Sequence, residues 1–236
     1  MTLLALDCAT DAGSVAVGDP GTPAAEIVVA GRRHAADLIP AAEECLRRTS
    51  RSWSDLTGVL VADGPGSFTG LRIAFATAAG VLRHRADVPL LTAPSLLSAA
   101  WIGSRQAGPT VAALFDALRG EVYAAIYQFG ERVQTLMAPG LTTVASLVES
   151  GISPELAVGD GVTAYAASLR SWTGRDPVPP PAGAPRASAL IELAARGAVR
   201  RVADLSTWEP TYGRPAEAQA RWEKTHGRRL PGPAGG

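Results

Sequence analysis

The residues Gly64-Pro65-Gly66-Ser67-Phe68-Thr69-Gly70-Leu71-Arg72 carry the strongest chemical signal in the sequence. They leave an apolar run, Gly58–Ala62, and enter an apolar helical stretch. Glycine permits positive φ and close backbone approach, and Ser67 is placed to cap the helix. Such a turn presents N–H groups and a helix N-terminus, where an anion can bind. Gly64, Gly66 and Ser67 are therefore candidate anion-loop residues. A tight strand-to-helix turn with no ligand accounts for them equally well. No Gly-Lys-Ser/Thr follows, so this is not a Walker loop.

Other reactive side chains are scattered. The histidines are His34, His84 and His226, and no two share a helix turn, so no local metal pair is available. Ser67 has no histidine near it in sequence, which leaves a nucleophile–base pair to through-space partners alone. Asp7 and Asp116, each isolated, read as turn or capping residues. His34, beside Arg32 and Arg33, reads as flanking a helix. Cys8 and Cys45 are too few for a disulfide scaffold and read as small buried hydrophobes of a reducing compartment.

The elements that must position the loop read as mixed α/β. Thr2–Cys8, Ser14–Gly18 and Ala24–Ala30 are strand-length runs separated by short turns, the pattern of an antiparallel meander. From about 35 to 49 the period becomes helical, with Leu38, Ala42, Cys45 and Leu46 on one side and Glu43, Glu44, Arg47 and Arg48 on the other. A strand at Gly58–Ala62, a helix from about Ser67 to Arg83, a strand at Val88–Thr92 and a helix at Ser95–Ser104 follow. The order β-β-β-α-β-α-β-α is that of a ribonuclease-H-like half-domain. Gly103–Pro109 reads as a hinge. The three-strand theme then restarts at Thr110–Phe115, Glu121–Tyr127 and Arg132–Ala138. Helical stretches near 142–150, 161–172 and 187–200 complete it, with a short strand at Leu156–Val158 and a proline-rich loop at Pro177–Pro185. The expected division is 1–103, 109–212 and a basic tail at 213–236, frayed at its end.

In the helix from Leu71 to Leu82 only Arg72 and Thr77 are polar. A helix apolar all round is covered all round. Its own sheet covers one side, and Ala74, Ala78 and Gly80 allow another helix close approach. The expected partner interface is Leu38, Ala42, Leu71, Ala74, Phe75, Ala78, Val81 and Leu82. On this reading, Ala74→Glu or Ala78→Arg leaves a folded monomer that cannot pair.

Composition bounds the function. The chain has 236 residues, with 22 basic and 22 acidic side chains and 47% apolar residues. That excludes a disordered chain and argues against a strongly basic nucleic-acid binder. Only Lys224 among the basic residues is a lysine, a bias that a GC-rich genome explains. Met1–Leu6 has no basic flank, and no run reaches membrane-span length. The expected location is cytoplasmic.

Gly64–Arg72 resembles the signature of the bacterial TsaB (YeaZ) proteins. Four further islands match in order: Leu6–Thr10, Arg33-His34, Asp116–Tyr123 and Pro210–Arg214. The resemblance implies two ribonuclease-H-like lobes of the actin/hexokinase/Hsp70-like fold. It implies a dimerising, activating, non-catalytic subunit of the complex that makes N6-threonylcarbamoyladenosine at tRNA position 37. Its implied partners are a TsaD-like catalytic subunit and a TsaE-like ATPase, with tRNA met through the complex and a homodimer when alone. Three absences favour that role over catalysis, the first being the His-x-x-x-His metal pair of TsaD-like proteins, which His34, His84 and His226 cannot form. Kinase-like members of the fold use Asp-x-Gly-Thr at the first turn, and here Ala9 stands in the sequence Asp7-Cys8-Ala9-Thr10. No adenosine motif is evident in the second half, where Val158-Gly159-Asp160-Gly161 is the nearest. The expectation is no metal and no cofactor in the isolated chain, with a nucleotide only in the complex, near Asp7, Thr10, Gly64, Gly66 and Ser67. The rival readings are a phosphotransferase or metallopeptidase of the same superfamily, and a stand-alone homodimeric binding module.

Overall fold

The computed structural model describes residues 1–30, 34–83, 85 and 87–213. Arg33, His84, His226 and the basic tail from Arg214 lie outside the described residues.

β1 (Thr2–Asp7) is buried along its whole length, so it needs cover on both faces. Period two divides its side chains: Leu4 and Leu6 join one apolar cluster, Leu3 and Ala5 another. β1 pairs antiparallel with β2 (Ala12–Asp19), and β2 with β3 (Thr22–Ala30). On its other edge β1 pairs parallel with β4 (Leu56–Ala62), which pairs parallel with β5 (Leu90–Ala93). The resulting order, β3-β2-β1-β4-β5, is the ribonuclease-H-like arrangement. α1 (His34–Arg48) and α2 (Phe68–Leu82) cover the face carrying Leu4, Leu6, Val59 and Val61.

The second sheet repeats the scheme in shorter form. β6 (Thr110–Asp116), β7 (Val122–Phe129) and β8 (Val133–Thr142) are antiparallel, and β9 (Leu156–Val158) pairs parallel with β6. α3 (Ser95–Ala107) packs on the face of Val111, Ala113, Phe115, Tyr123 and Tyr127. α4 (Val144–Val148) and α5 (Ala166–Thr173) lie on the face of Ala112, Leu114, Ala124 and Ile126. A 3-10 segment, Asp160–Tyr165, precedes α5.

Three placements differ from the sequence expectation. Residues 103–107 are the last turns of α3 rather than a hinge, and a Cβ on Gly103 would sit 2.7 Å from Val158 and 3.1 Å from Val111. The final helix is shorter, α6 (Ala187–Ala195), and it covers the second face of the first sheet through Ala187, Leu190 and Ile191. The chain then adds β10 (Arg200–Arg201) to the free edge of β5. Residues 187–201 thus complete the first sheet, although they follow the second in sequence. α6 is anchored at its start: Ala187 N–H donates to Ser14 Oγ and Ser188 N–H to Glu26 Oε1, at 2.8 and 2.9 Å. These bonds use first-turn amides that a helix cannot satisfy internally.

Candidate functional site

The 64–70 loop joins β4 to α2 as its composition predicts, but its glycines are filled by protein. A Cβ on Gly66 would run into the Ala9 carbonyl and lie 2.8 Å from its methyl; one on Gly70 would strike the Cys8 carbonyl. Gly64 has φ +96°, and a Cβ there would meet the Thr211 carbonyl. Three of its backbone amides are also engaged. Ser67 N–H donates to the Ala9 carbonyl at 2.7 Å, Gly64 N–H to Ser95 Oγ at 3.1 Å, and Gly70 N–H to Ser67 Oγ at 3.2 Å. Ser67 is the N-cap of α2, as expected. The loop is a packed junction between the first turn, α3 and the segment around Thr211. A side chain has no room at Gly64, Gly66 or Gly70, while Ser67 stays exposed at the start of α2.

Asp7 and Thr10 stand beside this junction and are buried. Asp7 Oδ1 accepts the Ala9 N–H at 3.1 Å, while Oδ2 has no partner. Burial pushes its pKa up to about 7, against smaller opposing effects of the Ala9 amide and Ser98. Thr10 donates to the Ala12 carbonyl at 3.3 Å and so braces the turn. Asp63, at the end of β4, is also buried; desolvation raises its pKa, and Arg200, 2.8 Å away, opposes the rise. Sequence reasoning missed Asp63 and Arg200, because neither belongs to a recognisable spacing. Cys8 and Cys45 are buried free thiols, raised by desolvation. Among the described residues, no three His, Cys, Asp or Glu side chains are grouped to hold a metal.

The expected partner residues divide sharply. Leu38, Ala42, Leu71, Ala74 and Ala78 are fully buried, and Leu82 is nearly so. They form the inner stripes of α1 and α2 and have no surface to offer, so for these six the expectation is corrected. A charge at Ala74 or Ala78 would be buried inside the chain and would unfold it. Phe75 and Val81 are half-buried on the flanks. Phe68, Thr69, Arg72, Ala76 and Gly80 of α2 are exposed, as is Arg83 just after it. A Cβ on Gly80 would meet nothing within 4 Å. Beside it lies an open, mostly apolar groove of about 500 Å³, lined by Ile39, Glu43, Trp53, Ser54, Gly80, Val81 and Arg85. Arg85 is pinned at its rim by the carbonyls of Trp53 and Leu56, at 2.9 and 3.0 Å. Ile39 and Trp53 carried a signal that could have found this surface: an apolar residue off the inner stripe, and a tryptophan in a short connection.

Known proteins resemble this chain over most of its length. The TsaB protein of Bacillus subtilis, a tRNA threonylcarbamoyladenosine biosynthesis protein, is 30% identical over 94% of this chain and 98% of its own. The chain belongs to the TsaB family. The Escherichia coli TsaB protein is 35% identical over 59% of this chain and 63% of its own length. Residues 28–171 also match the family model for TsaD, tRNA N6-adenosine threonylcarbamoyltransferase. A solved structure of YeaZ from Pseudomonas aeruginosa superposes with TM-score 0.72 at 26% identity, covering 89% of this chain and 99% of its own. The TsaB membership accounts for the order of the five sequence islands. In this chain the first, Leu6–Thr10, and the last, Pro210–Gly213, both pack on the glycine loop. No helix among the described residues is long and apolar enough to cross a membrane.

Proposed function

We propose that this chain is a non-catalytic, activating subunit of a complex that forms N6-threonylcarbamoyladenosine on tRNA. It pairs with a TsaD-like catalytic subunit through the outer face of α1 and α2. The observation that carries this reading is that face: an open apolar groove at Gly80, with Ala76 exposed one turn before it, where a partner helix can come close. Its small residues let two backbones approach, and the adjacent Ile39 and Val81 supply apolar area. The same face serves a homodimer when the chain is alone. A TsaE-like ATPase and tRNA are met through the complex, in the cytoplasm. The packed loop supports a structural part for this chain, because a nucleotide phosphate would have to displace the Ala9 and Thr211 carbonyls. A nucleotide near Asp7 and Thr10 then belongs to the assembled complex.

The test is co-purification with the same cell's TsaD-like protein, followed by tRNA modification with and without this chain. The expected outcome is a stable pair and modification that depends on both. A phosphotransferase or peptidase activity of the purified chain, abolished by Asp7→Ala, would overturn the non-catalytic reading.

A further inference from the structure

After Val202 the chain crosses the N-terminal half of α2 without forming a helix or strand. Trp208 rests on Phe75, with ring centroids 4.9 Å apart, and Tyr212 on Phe68, at 4.5 Å. Thr211 N–H donates to the Asp63 carbonyl at 2.8 Å, and Gly213 lies against the Tyr123 ring of the second sheet. Residues 203–213 thus form a strap reaching from the edge of the first sheet, over the glycine loop, to the second. Among the described residues that one bond is its only backbone hydrogen bond to the rest of the fold. Most of its side chains are exposed; Pro210 alone is buried, and Trp208 and Tyr212 are half-buried. A segment with few hydrogen bonds and little buried area opens locally at far lower cost than the sheets beneath it. What it covers on α2 is aromatic, with the Arg72 guanidinium 5.3 Å from the Phe68 ring centroid. Phe75 and Phe68 are the aromatic residues of α2, on the flank opposite α1, with Ala76 between that flank and the groove.

We infer that residues 203–213 are a releasable strap over the aromatic flank of α2, and that a protein partner seated on the α1–α2 face gains that flank when the strap lifts. The second half rests on the pairing surface proposed above. The closed strap lowers apparent affinity by the fraction of time it is open, and loosening its anchors removes that reduction.

Hydrogen exchange on the full chain, read by mass spectrometry, decides the first half. Amides of 204–213 should exchange at least 100-fold faster than those of β4, with the sheets protected throughout. Equal protection would make the strap part of the core and overturn the inference. The variant Trp208→Ala/Tyr212→Ala then tests the second half by calorimetry against the TsaD-like subunit. It should keep the melting transition of the sheets and bind at least fivefold more tightly. Unchanged or weaker binding overturns the coupling, and a variant that has lost the sheets' protection overturns the strap. A chain that pairs in neither form contradicts the pairing surface instead, and hydrogen exchange still decides whether the strap opens.

Discussion

Glycine and alanine appear at two places about ten residues apart and do opposite things. At Gly66 and Gly70 the missing Cβ is a space already filled by the backbone of Cys8 and Ala9. At Gly80 the missing Cβ faces empty space. Ala74 and Ala78 are fully buried, while Ala76, on the same helix, is exposed. Smallness in the first region is a packing requirement within one chain. In the second it has no purpose inside the chain, which is why the outer face of α2, rather than the loop, is the place to look for a partner.

The sharpest way to break this contrast is Ala74→Glu, which forces a charge into the packed space between α2 and the first sheet. Burying an unpaired charge costs at least several kcal/mol, a large share of the roughly 5–15 kcal/mol that hold a domain together. The expected result is loss of the cooperative thermal transition and of native circular dichroism. A folded variant would show that the inner stripe is not core.

The next largest effect belongs to Asp7, beneath the loop. Its folded pKa of about 7 lies above its ordinary value of 3.8, so the native state holds a proton that the unfolded chain releases. Stability therefore falls as pH rises from about 4 to 7, and is flat beyond both values. At 1.36 kcal/mol per unit this amounts to at most about 4 kcal/mol. Asp7→Asn removes the titration, and urea melts from pH 4 to 8 should show a flatter profile and a more stable variant at pH 8. An unchanged slope would mean that Asp7 is ionised in the native state.

On the outer face the same Ala→Glu change should act differently. Ala76→Glu should alter stability by less than about 0.5 kcal/mol, as exposed substitutions do. It should weaken pairing with the TsaD-like subunit by about 100-fold, equivalent to roughly 2.7 kcal/mol at tenfold per 1.4 kcal/mol. Sedimentation of the mixture reads this directly, and unchanged affinity would move the interface elsewhere. The smallest effect is Gly80→Ala. With nothing near its Cβ, the added methyl meets no clash and restricts the unfolded chain, so the melt should show a gain of about 0.5–1 kcal/mol. A loss of stability would mean that the position is not open.

Much of the fold was legible because period and turn chemistry agree at each step. Leu4 and Leu6 alternate with Leu3 and Ala5, the 64–70 glycines mark a strand-to-helix turn, and Leu38, Ala42 and Cys45 recur at helical spacing. The return of α6 was not legible. Ala187–Ala195 shows that a helix forms but not which sheet it covers, and Arg200-Arg201 is a strand only because β5 offers it an edge. The pairing surface failed for a different reason. Where nearly every residue of α2 is apolar, hydrophobic spacing cannot separate the stripe facing the sheet from the ridge facing out. Leu71, Ala74, Ala78 and Leu82, named as interface, were therefore core, and Leu38 and Ala42 belong to the buried stripe of α1. The packed state of the loop was hidden too, since the atoms filling it come from Ala9 and Thr211, far away in the chain.

The late arrival of α6 has a consequence for how this protein must be made. All five main strands of the first sheet have been synthesised by Ala93, yet the face carrying Leu3, Ala5 and Leu60 has no cover until Ala187–Ile191 follow them out. At roughly 5–20 residues per second that leaves an apolar sheet face waiting for about 5–20 s, the interval in which aggregation competes with folding. A fragment ending at Ala107 would wait indefinitely. The first half of this chain is thus a product of the whole chain, completed only after the second half has been made.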